Sequence, residues 1–176
     1  MLIKTIFAGF GGQGVLSMGL SLAQAAMREG KNVTYLPAYG AEVRGGTANC
    51  TVAISDEEIA SPVASSPEFV VAMNQPSMVR FQHQLQSGGM FFLNSSLIDA
   101  EVTRGDIEVV RLPANTIAEQ VGSSRSANVV MLGAFIKKSS LVKFDTLLEV
   151  LKEAFGKREK LIAINKEALL AGYNLS

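Results

Sequence analysis

A glycine cluster near the start of the chain constrains the fold more than any other feature. Residues 9–14 read GFGGQG and follow an apolar run, residues 2–8, that is rich in Ile and Phe and predicts a buried strand. Residues 15–29 form an apolar segment of helical length that ends before Gly30. A strand, a glycine turn and a buried helix in this order are typical of the first βα unit of a layered α/β sheet.

The remaining segments continue the alternation of strands and helices. Further strands are predicted at residues 32–36, 47–54, 69–73, 90–93 and 107–112. Further helices are predicted at residues 76–86, 113–122, 128–138, 144–155 and 158–171, the last of them capped by Gly172. We therefore expect residues 1–176 to form one α/β domain, a three-layer α/β/α fold with a mostly parallel sheet. The strand at 47–54 is expected to run antiparallel, because no crossover helix fits into residues 37–46.

The glycine turn also matches the G-x-G-x-x-G pattern of dinucleotide-binding proteins. Such a site needs an acidic residue about 20 positions further on, where the carboxylate binds the ribose. The chain has Tyr35, Leu36, Pro37 and Ala38 in that region, and its next acid is Glu42. No Lys-Ser or Lys-Thr pair follows the glycines, which excludes a Walker P-loop. The sequence therefore favours a tight turn that packs a helix on the sheet, or contacts another chain, over an NAD or FAD site.

A second glycine-flanked segment, residues 39–47, reads YGAEVRGGT. Glu42 and Arg44 are its only charged residues. Such a pair can bind the charges of a partner, or the guanidinium can hold an anion through two hydrogen bonds. The alternative is a solvated loop with incidental charges. We favour a contact loop, and we expect it to lie at the same edge of the sheet as the glycine turn, because loops that leave the carboxyl ends of parallel strands gather there.

Single copies of cysteine and histidine limit the chemistry that the chain can perform alone. One cysteine excludes a disulfide framework and a Cys-ligated iron–sulfur cluster within this chain, and Cys50 is expected to be a small core residue. One histidine excludes a His-based metal site from this chain alone, and His83 is expected to be a surface or structural residue. Ser126 or Asn128 is expected to cap a helix, while Arg125 is a weaker candidate for contacting an anion or a partner.

Composition points to partner proteins rather than to nucleic acid. The chain has 16 basic and 16 acidic residues, so it lacks the positive charge that nucleic-acid binders carry. Hydrophobic residues make up 48% of the chain and charged residues only 18%, against the usual share of about 25%. We expect the chain to bury surface against partner chains and to self-associate when isolated. The sequence lacks a signal-peptide pattern and a long apolar run, so a cytoplasmic location without membrane contact is expected.

Five motifs, taken together and in order, resemble one enzyme family over nearly the whole chain. They are GFGGQGV at 9–15, YGAEVRGGTANC at 39–50, AMNQPS at 72–77, NSSLI at 94–98 and ANVVMLGA at 127–134. This combination resembles the gamma subunit of 2-oxoacid:ferredoxin (acceptor) oxidoreductases. The 2-oxoglutarate and branched-chain 2-oxoisovalerate members match best, and 2-oxoglutarate is the favoured substrate. The pyruvate gamma subunit and the smaller subunit of the indolepyruvate enzyme share the pattern more loosely.

The resemblance implies a division of labour between subunits. Such enzymes oxidatively decarboxylate a 2-oxoacid, transfer the acyl group to coenzyme A and pass electrons to ferredoxin. The alpha, beta and delta subunits would hold thiamine diphosphate with magnesium and the iron–sulfur clusters, and this chain would hold none of these cofactors alone. It would be active only within the complex. The residues that the resemblance places near the active site of the complex are Gly11, Gly12, Gln13, Gly14, Glu42, Arg44, Gly45 and Asn128.

Two other functions remain open on the residues alone. The chain could be a free-standing domain that binds a nucleotide or coenzyme A at residues 9–14. It could also be a structural subunit without ligand contact. A subunit of the oxidoreductase should co-purify with larger, brown, cysteine-rich chains, which distinguishes it from both alternatives.

Overall fold

Six strands form one sheet among the residues that the computed structural model describes, which are 1–39 and 47–175. In chain order they are β1 (Leu2–Phe10), β2 (Asn32–Tyr39), β3 (Thr47–Ser55), β4 (Phe69–Ala72), β5 (Met90–Asn94) and β6 (Glu108–Leu112). Their order across the sheet is β2-β3-β1-β4-β5-β6. The pairs β1–β4, β4–β5 and β5–β6 are parallel, whereas β3 runs antiparallel to both β2 and β1. The predicted fold class is confirmed, including the antiparallel strand.

Helices cover the two faces of the sheet unequally. The helices are α1 (Val15–Arg28), α2 (Gln75–Phe81), α3 (Ala114–Gln120), α4 (Ala127–Ser139), α5 (Phe144–Phe155) and α6 (Glu159–Leu175), with a 3-10 turn at Ser124–Ser126. One face, which presents Phe7 and Phe92, packs against the larger helical layer that contains α1, α4 and α5. The opposite face, which presents Val70 and Phe91, packs against α2.

Aromatic contacts fix α4 on the centre of the sheet. The Phe135 ring lies edge-on to Phe7 and Phe92, with centroids 5.4 and 5.3 Å apart, and contacts Phe69 at 5.5 Å. Edge-to-face pairs at these distances stabilise a core beyond the area that they bury. Because α4 is held here, its amino-terminal end reaches the carboxyl ends of β1 and β4.

The contact between α4 and α6 corrects one prediction about helix ends. Gly172 was expected to cap the last helix, but α6 continues through it to Leu175. A Cβ atom at Gly172 would overlap the carbonyl oxygen of Val130, and a Cβ atom at Gly133 would overlap that of Leu169. Both glycines are therefore needed for close approach of two helix backbones. The other helices match their predicted positions, except that α2 ends at Phe81, earlier than expected.

None of the described helices combines the length and the apolar character that crossing a lipid bilayer requires.

Candidate functional site

The glycine turn joins β1 to α1 at the carboxyl ends of the parallel strands. Gly12 and Gly14 have φ angles of 94° and 74°, in the left-handed region that favours glycine. The backbone N–H of Gln13 donates to the carbonyl oxygen of Phe10 at 3.1 Å, which closes the turn. Gly14 is the N-cap of α1. Gly11, between Phe10 and Gly12, is exposed. The turn therefore presents backbone rather than side chains to whatever approaches this edge.

The side chain of Gln13 holds the turn against the neighbouring strand. Its Oε1 accepts a hydrogen bond from the Phe10 amide at 2.6 Å, and its Nε2 donates to the carbonyl oxygen of Met73, just after β4, at 3.3 Å. A side chain at Gly9 would meet this Oε1 at 2.6 Å. Gln13 was predicted as a contact to the active site of the complex. The structure shows that its amide group is used to position the turn.

Asn128, at the start of α4, lies directly against the glycine turn. Its Nδ2 donates to the carbonyl oxygen of Gly14 at 3.4 Å, and its Oδ1 accepts from the Val129 amide at 3.0 Å. A Cβ atom at Gly14 would overlap the Asn128 amide. The structure therefore brings together Gly14 and Asn128, which lie 114 residues apart in the chain.

A cleft of about 210 Å³ opens beside the turn. Gly12 and Gln13 line it on one side, and Asn115 of α3 lines it on another. Ser124 and Arg125 of the 3-10 turn line it as well, and Met73 and Ala127 complete the lining. Arg125 is the only charged residue of this lining, is exposed, and forms no ion pair with any residue of the described ranges. A guanidinium without a partner beside open backbone can bind an anion such as a phosphate or a carboxylate.

Asn94 is a positioning residue of this edge that the sequence interpretation did not single out. It is fully buried at the end of β5, and its Nδ2 donates to the Met73 carbonyl at 3.3 Å and to Asn115 Oδ1 at 2.7 Å. Its Oδ1 accepts from the Ala114 amide at 3.1 Å, at the start of α3. Asn94 begins the NSSLI motif that carried the resemblance. An asparagine at the end of an apolar strand is the sequence feature that could have pointed to its positioning role.

Three predicted site residues, Glu42, Arg44 and Gly45, lie outside the described residues. The described strands nevertheless locate the two ends of their segment. Thr47 pairs with Phe10, the last residue of β1, and Tyr39 pairs with Ala48. Tyr39 and Thr47, which flank the segment, therefore both lie at the edge that carries the turn, and the position of Glu42 and Arg44 stays a prediction.

The strand order is a second argument against a dinucleotide site, besides the missing acidic residue. In a dinucleotide-binding unit the strand that carries the ribose-binding acid lies beside the first strand. Here β3 lies between β1 and β2. The end of β2 is therefore displaced by one strand spacing, about 4.8 Å, from its position in a Rossmann unit.

Cys50 and His83 lie where the sequence predicted. Cys50 is completely buried in β3, and its Sγ donates to the Val15 carbonyl oxygen at 3.4 Å. Burial raises the pKa of the Cys50 thiol to about 12, so the thiolate does not form at neutral pH. His83 is exposed. Among the described residues no three His, Cys, Asp or Glu side chains come together as metal ligands could.

Comparisons with known proteins agree with the motifs. Residues 4–175 match the family model described as pyruvate ferredoxin/flavodoxin oxidoreductase. The chain is 42% identical over 171 residues to the ketoisovalerate oxidoreductase subunit VorA of Methanothermobacter thermautotrophicus, covering 97% of this chain and 35% of VorA. It thus spans about one third of the length of this curated relative.

Two solved structures share the fold. One is the gamma subunit of a keto/oxoacid ferredoxin oxidoreductase from Geobacter sulfurreducens, with a TM-score of 0.84 and 25% identity over 98% of this chain and 96% of that chain. The other is a 2-oxoglutarate:ferredoxin oxidoreductase from Magnetococcus marinus with 2-oxoglutarate, coenzyme A and succinyl-CoA bound. Its TM-score is 0.91 and its identity 28%, covering 99% of this chain and 31% of that chain. The resemblance inferred from the five motifs is confirmed.

Proposed function

Since the chain belongs to the pyruvate ferredoxin/flavodoxin oxidoreductase family, we propose that it is the gamma subunit of a multi-subunit, thiamine-diphosphate-dependent 2-oxoacid:ferredoxin oxidoreductase. The enzyme would oxidatively decarboxylate a 2-oxoacid to the acyl-CoA. The observation that carries the proposal is a family match over residues 4–175, supported by a gamma subunit of the same fold over 98% of the chain. The alpha, beta and delta subunits are the proposed partners, ferredoxin is the proposed acceptor, and the cytoplasm is the proposed location.

The described residues do not fit an iron–sulfur cluster of their own. Clusters need several cysteine thiolates, and Cys50 is the one cysteine of the chain, buried and protonated at neutral pH. We therefore assign the clusters, thiamine diphosphate and its magnesium to the partner subunits. Bound there, thiamine diphosphate supplies the carbanion chemistry and the clusters carry the electrons.

The glycine-turn edge does fit a phosphate-bearing cofactor at the boundary between subunits. Gly12 and Gly14 leave room for close backbone approach, and the Arg125 guanidinium is free of ion pairs with the described residues. Such an arrangement can bind the phosphate groups of coenzyme A or thiamine diphosphate. In this role Gln13, Asn94 and Asn128 orient the turn, while Gly12 and Arg125 face the cofactor.

Two substrates are the strongest candidates. The sequence motifs favoured 2-oxoglutarate. The Magnetococcus marinus enzyme, which is 28% identical to this chain, has 2-oxoglutarate bound. The identity to VorA, named for ketoisovalerate, is 42%. We therefore propose that the substrate is a 2-oxoacid of one of these two classes. The substrate would bind mainly to the other subunits, so those subunits would determine which of the two is used.

Purification of the native complex tests the proposed function. The chain should co-purify with larger, cysteine-rich brown subunits, and the complex should reduce ferredoxin with one member of a panel of 2-oxoacids in the presence of coenzyme A. The isolated chain should be inactive and should self-associate. Isolation of the chain from native cells as an active or partner-free protein would contradict the proposal.

A substitution in the segment 40–46 tests whether this segment contacts the active site. Arg44→Ala should strongly lower the activity or the assembly of the complex, because guanidinium recognition of phosphate or carboxylate is charge-assisted. Arg80→Ala is the control, since Arg80 lies on α2, over the opposite face of the sheet. Equal and small effects of both substitutions would reject the assignment of Arg44.

A further inference from the structure

A second cavity lies within the helical layer, and Arg125 lines both this cavity and the cleft beside the glycine turn. The volume of the second cavity is about 410 Å³, and α1, α4, α5, α6 and the 3-10 turn enclose it. We propose that this cavity binds a small aliphatic carboxylate, with the hydrocarbon chain inside and the carboxylate at the mouth. The proposal goes beyond the proposed function, and because Arg125 serves both sites it is tested on this chain alone, without the cofactor of the complex.

The floor of the cavity is apolar and is supplied by four helices. Its lining residues there are Met18, Val129, Leu132, Leu151, Phe155 and Leu161. The first four of these belong to the buried core. A floor of this kind favours a hydrocarbon chain, since each methylene group that leaves water for an apolar surface adds to the affinity.

Two buried polar side chains of the wall are bonded to each other. Ser126 and Asn165 are buried, and Ser126 Oγ donates to Asn165 Oδ1 at 3.0 Å. Asn165 Nδ2 in turn donates to the carbonyl oxygen of Leu161 at 2.8 Å. Because these hydrogen bonds are already made, an aliphatic chain that enters the cavity does not have to break them.

The mouth of the cavity carries hydrogen-bond donors and a single charge. Ser123 Oγ accepts from the Arg125 amide at 3.3 Å, which positions Arg125 and leaves the serine hydroxyl proton available. Arg125 is the only charged residue among the lining residues, and it forms no ion pair with any described residue. A carboxylate can accept two parallel hydrogen bonds from a guanidinium. The chemistry at the mouth therefore selects an anionic headgroup.

The volume limits the length of the ligand. Pockets that hold small organic molecules span about 300–1,000 Å³, and this cavity lies at the small end of that range. We therefore choose a six-carbon chain as the probe. The cleft beside the glycine turn also contains Arg125, but its volume of about 210 Å³ is about half that of this cavity, and its apolar side chains are Met73 and Ala127.

Titration calorimetry with the 176-residue chain tests the proposal, with hexanoate as the probe. Hexanol lacks the charge and acetate lacks the chain, so hexanoate should bind about tenfold more tightly than either, an effect of about 1.4 kcal/mol. Arg125→Gln should weaken hexanoate about tenfold and leave hexanol unchanged. Arg80→Gln, an exposed arginine on α2, is the matched control and should change neither affinity.

A second variant tests where the hydrocarbon part of the ligand binds. Ala154 lines the cavity from an exposed position on α5, so Ala154→Phe should narrow the cavity without disturbing the core, and it should weaken both hexanoate and hexanol. Hexanoate binding no tighter than acetate, or equal effects of Arg125→Gln and Arg80→Gln, would overturn the proposal. Unchanged affinities in Ala154→Phe would also overturn it. Tighter binding of hexyl phosphate than of hexanoate would overturn the choice of a carboxylate.

Discussion

The two edges of the sheet differ in how their charges are used. At the edge where β1, β4 and β6 begin, Asp56 pairs with Lys31 and, at 3.4 Å, with the amino group of Met1, and Arg104 pairs with Asp106 at 2.6 Å. At the edge where the strands end, the cleft contains open glycine backbone and Arg125, which has no ion pair among the described residues.

We propose that this difference separates a stabilising edge from a binding edge. Charges that are paired within the chain contribute to stability and offer little to a ligand. An unpaired guanidinium beside open backbone contributes little to stability and has its hydrogen bonds available for a partner or cofactor. The polar side chains of the binding edge, Asn94 and Asn128, are bonded to backbone groups that they hold in place.

The largest expected effect comes from a matched pair of glycines, one at each edge. Gly14 and Gly88 have φ angles of 74° and 78°, so an alanine at either position is strained by about 1 kcal/mol or more. At Gly14 the new Cβ atom would also displace the Asn128 amide, whereas at Gly88 nothing lies within 4 Å. Gly14→Ala should therefore lower the activity of the complex at least about tenfold, and Gly88→Ala should leave it unchanged.

Thermal denaturation and ferredoxin reduction measure the two consequences separately. Both alanine variants should lower Tm by about 2–4 °C for each kcal/mol of strain. The double variant Gly14→Ala, Asn128→Ala removes the overlap and should recover part of the stability but not the activity. Equal losses of activity in Gly14→Ala and Gly88→Ala would show that the two edges do not differ in function.

The second effect concerns one arginine at each edge. Arg125→Gln should weaken binding of the phosphate-bearing cofactor to the complex about tenfold and leave Tm unchanged, because the guanidinium has no described ion pair to lose. Arg104→Gln should do the opposite. Arg104 donates to the carbonyl oxygens of Gln82, at 2.9 Å, and Leu85, and its loss should lower Tm without changing activity. Cofactor affinity is measured by titration calorimetry and Tm by scanning calorimetry. A lower cofactor affinity in Arg104→Gln, or a lower Tm in Arg125→Gln, would contradict the assignment.

The third effect concerns the core between the edges. Burial raises the pKa of Cys50 to about 12, and the thiol is completely inaccessible, so the folded chain should not react with a disulfide reagent at pH 8. After denaturation one thiol per chain should react. Rapid labelling of the folded chain would show that β3 opens beneath α1.

The smallest effect is an acid-dependent loss of stability at the stabilising edge. The Arg104 guanidinium lowers the pKa of the Asp106 carboxyl from 3.8 to about 2. A carboxyl with a lowered pKa stabilises the folded chain fully above its unfolded pKa, and this contribution is lost as the pH falls from about 4 towards 2. Asp106→Asn should therefore lose less stability than the parent chain over this range, measured by urea denaturation at several pH values. Parallel stability curves would contradict the assignment.

Several predictions from the sequence depended on local patterns and were confirmed by the structure. The apolar run before the glycines forms β1, and the length of the connection between β2 and β3 correctly indicated an antiparallel strand. The prediction for Gly172 was wrong because its role depends on Val130, which lies in another helix. A local pattern cannot distinguish a glycine that ends a helix from one that lets two helices touch.

The sequence by itself determined the alternation of strands and helices, the glycine turn, the buried cysteine and, through its motifs, the family. These features depend on hydrophobic period, backbone preference and residue identity within short segments. Only the tertiary structure decided that β3 separates β1 from β2, that Asn94 bonds to Met73 and to the start of α3, that Asn128 contacts the turn, and that Arg125 lies beside it. The physical reason is that each of these arrangements joins residues far apart in the chain, and their contacts follow from the packing of helices on the sheet.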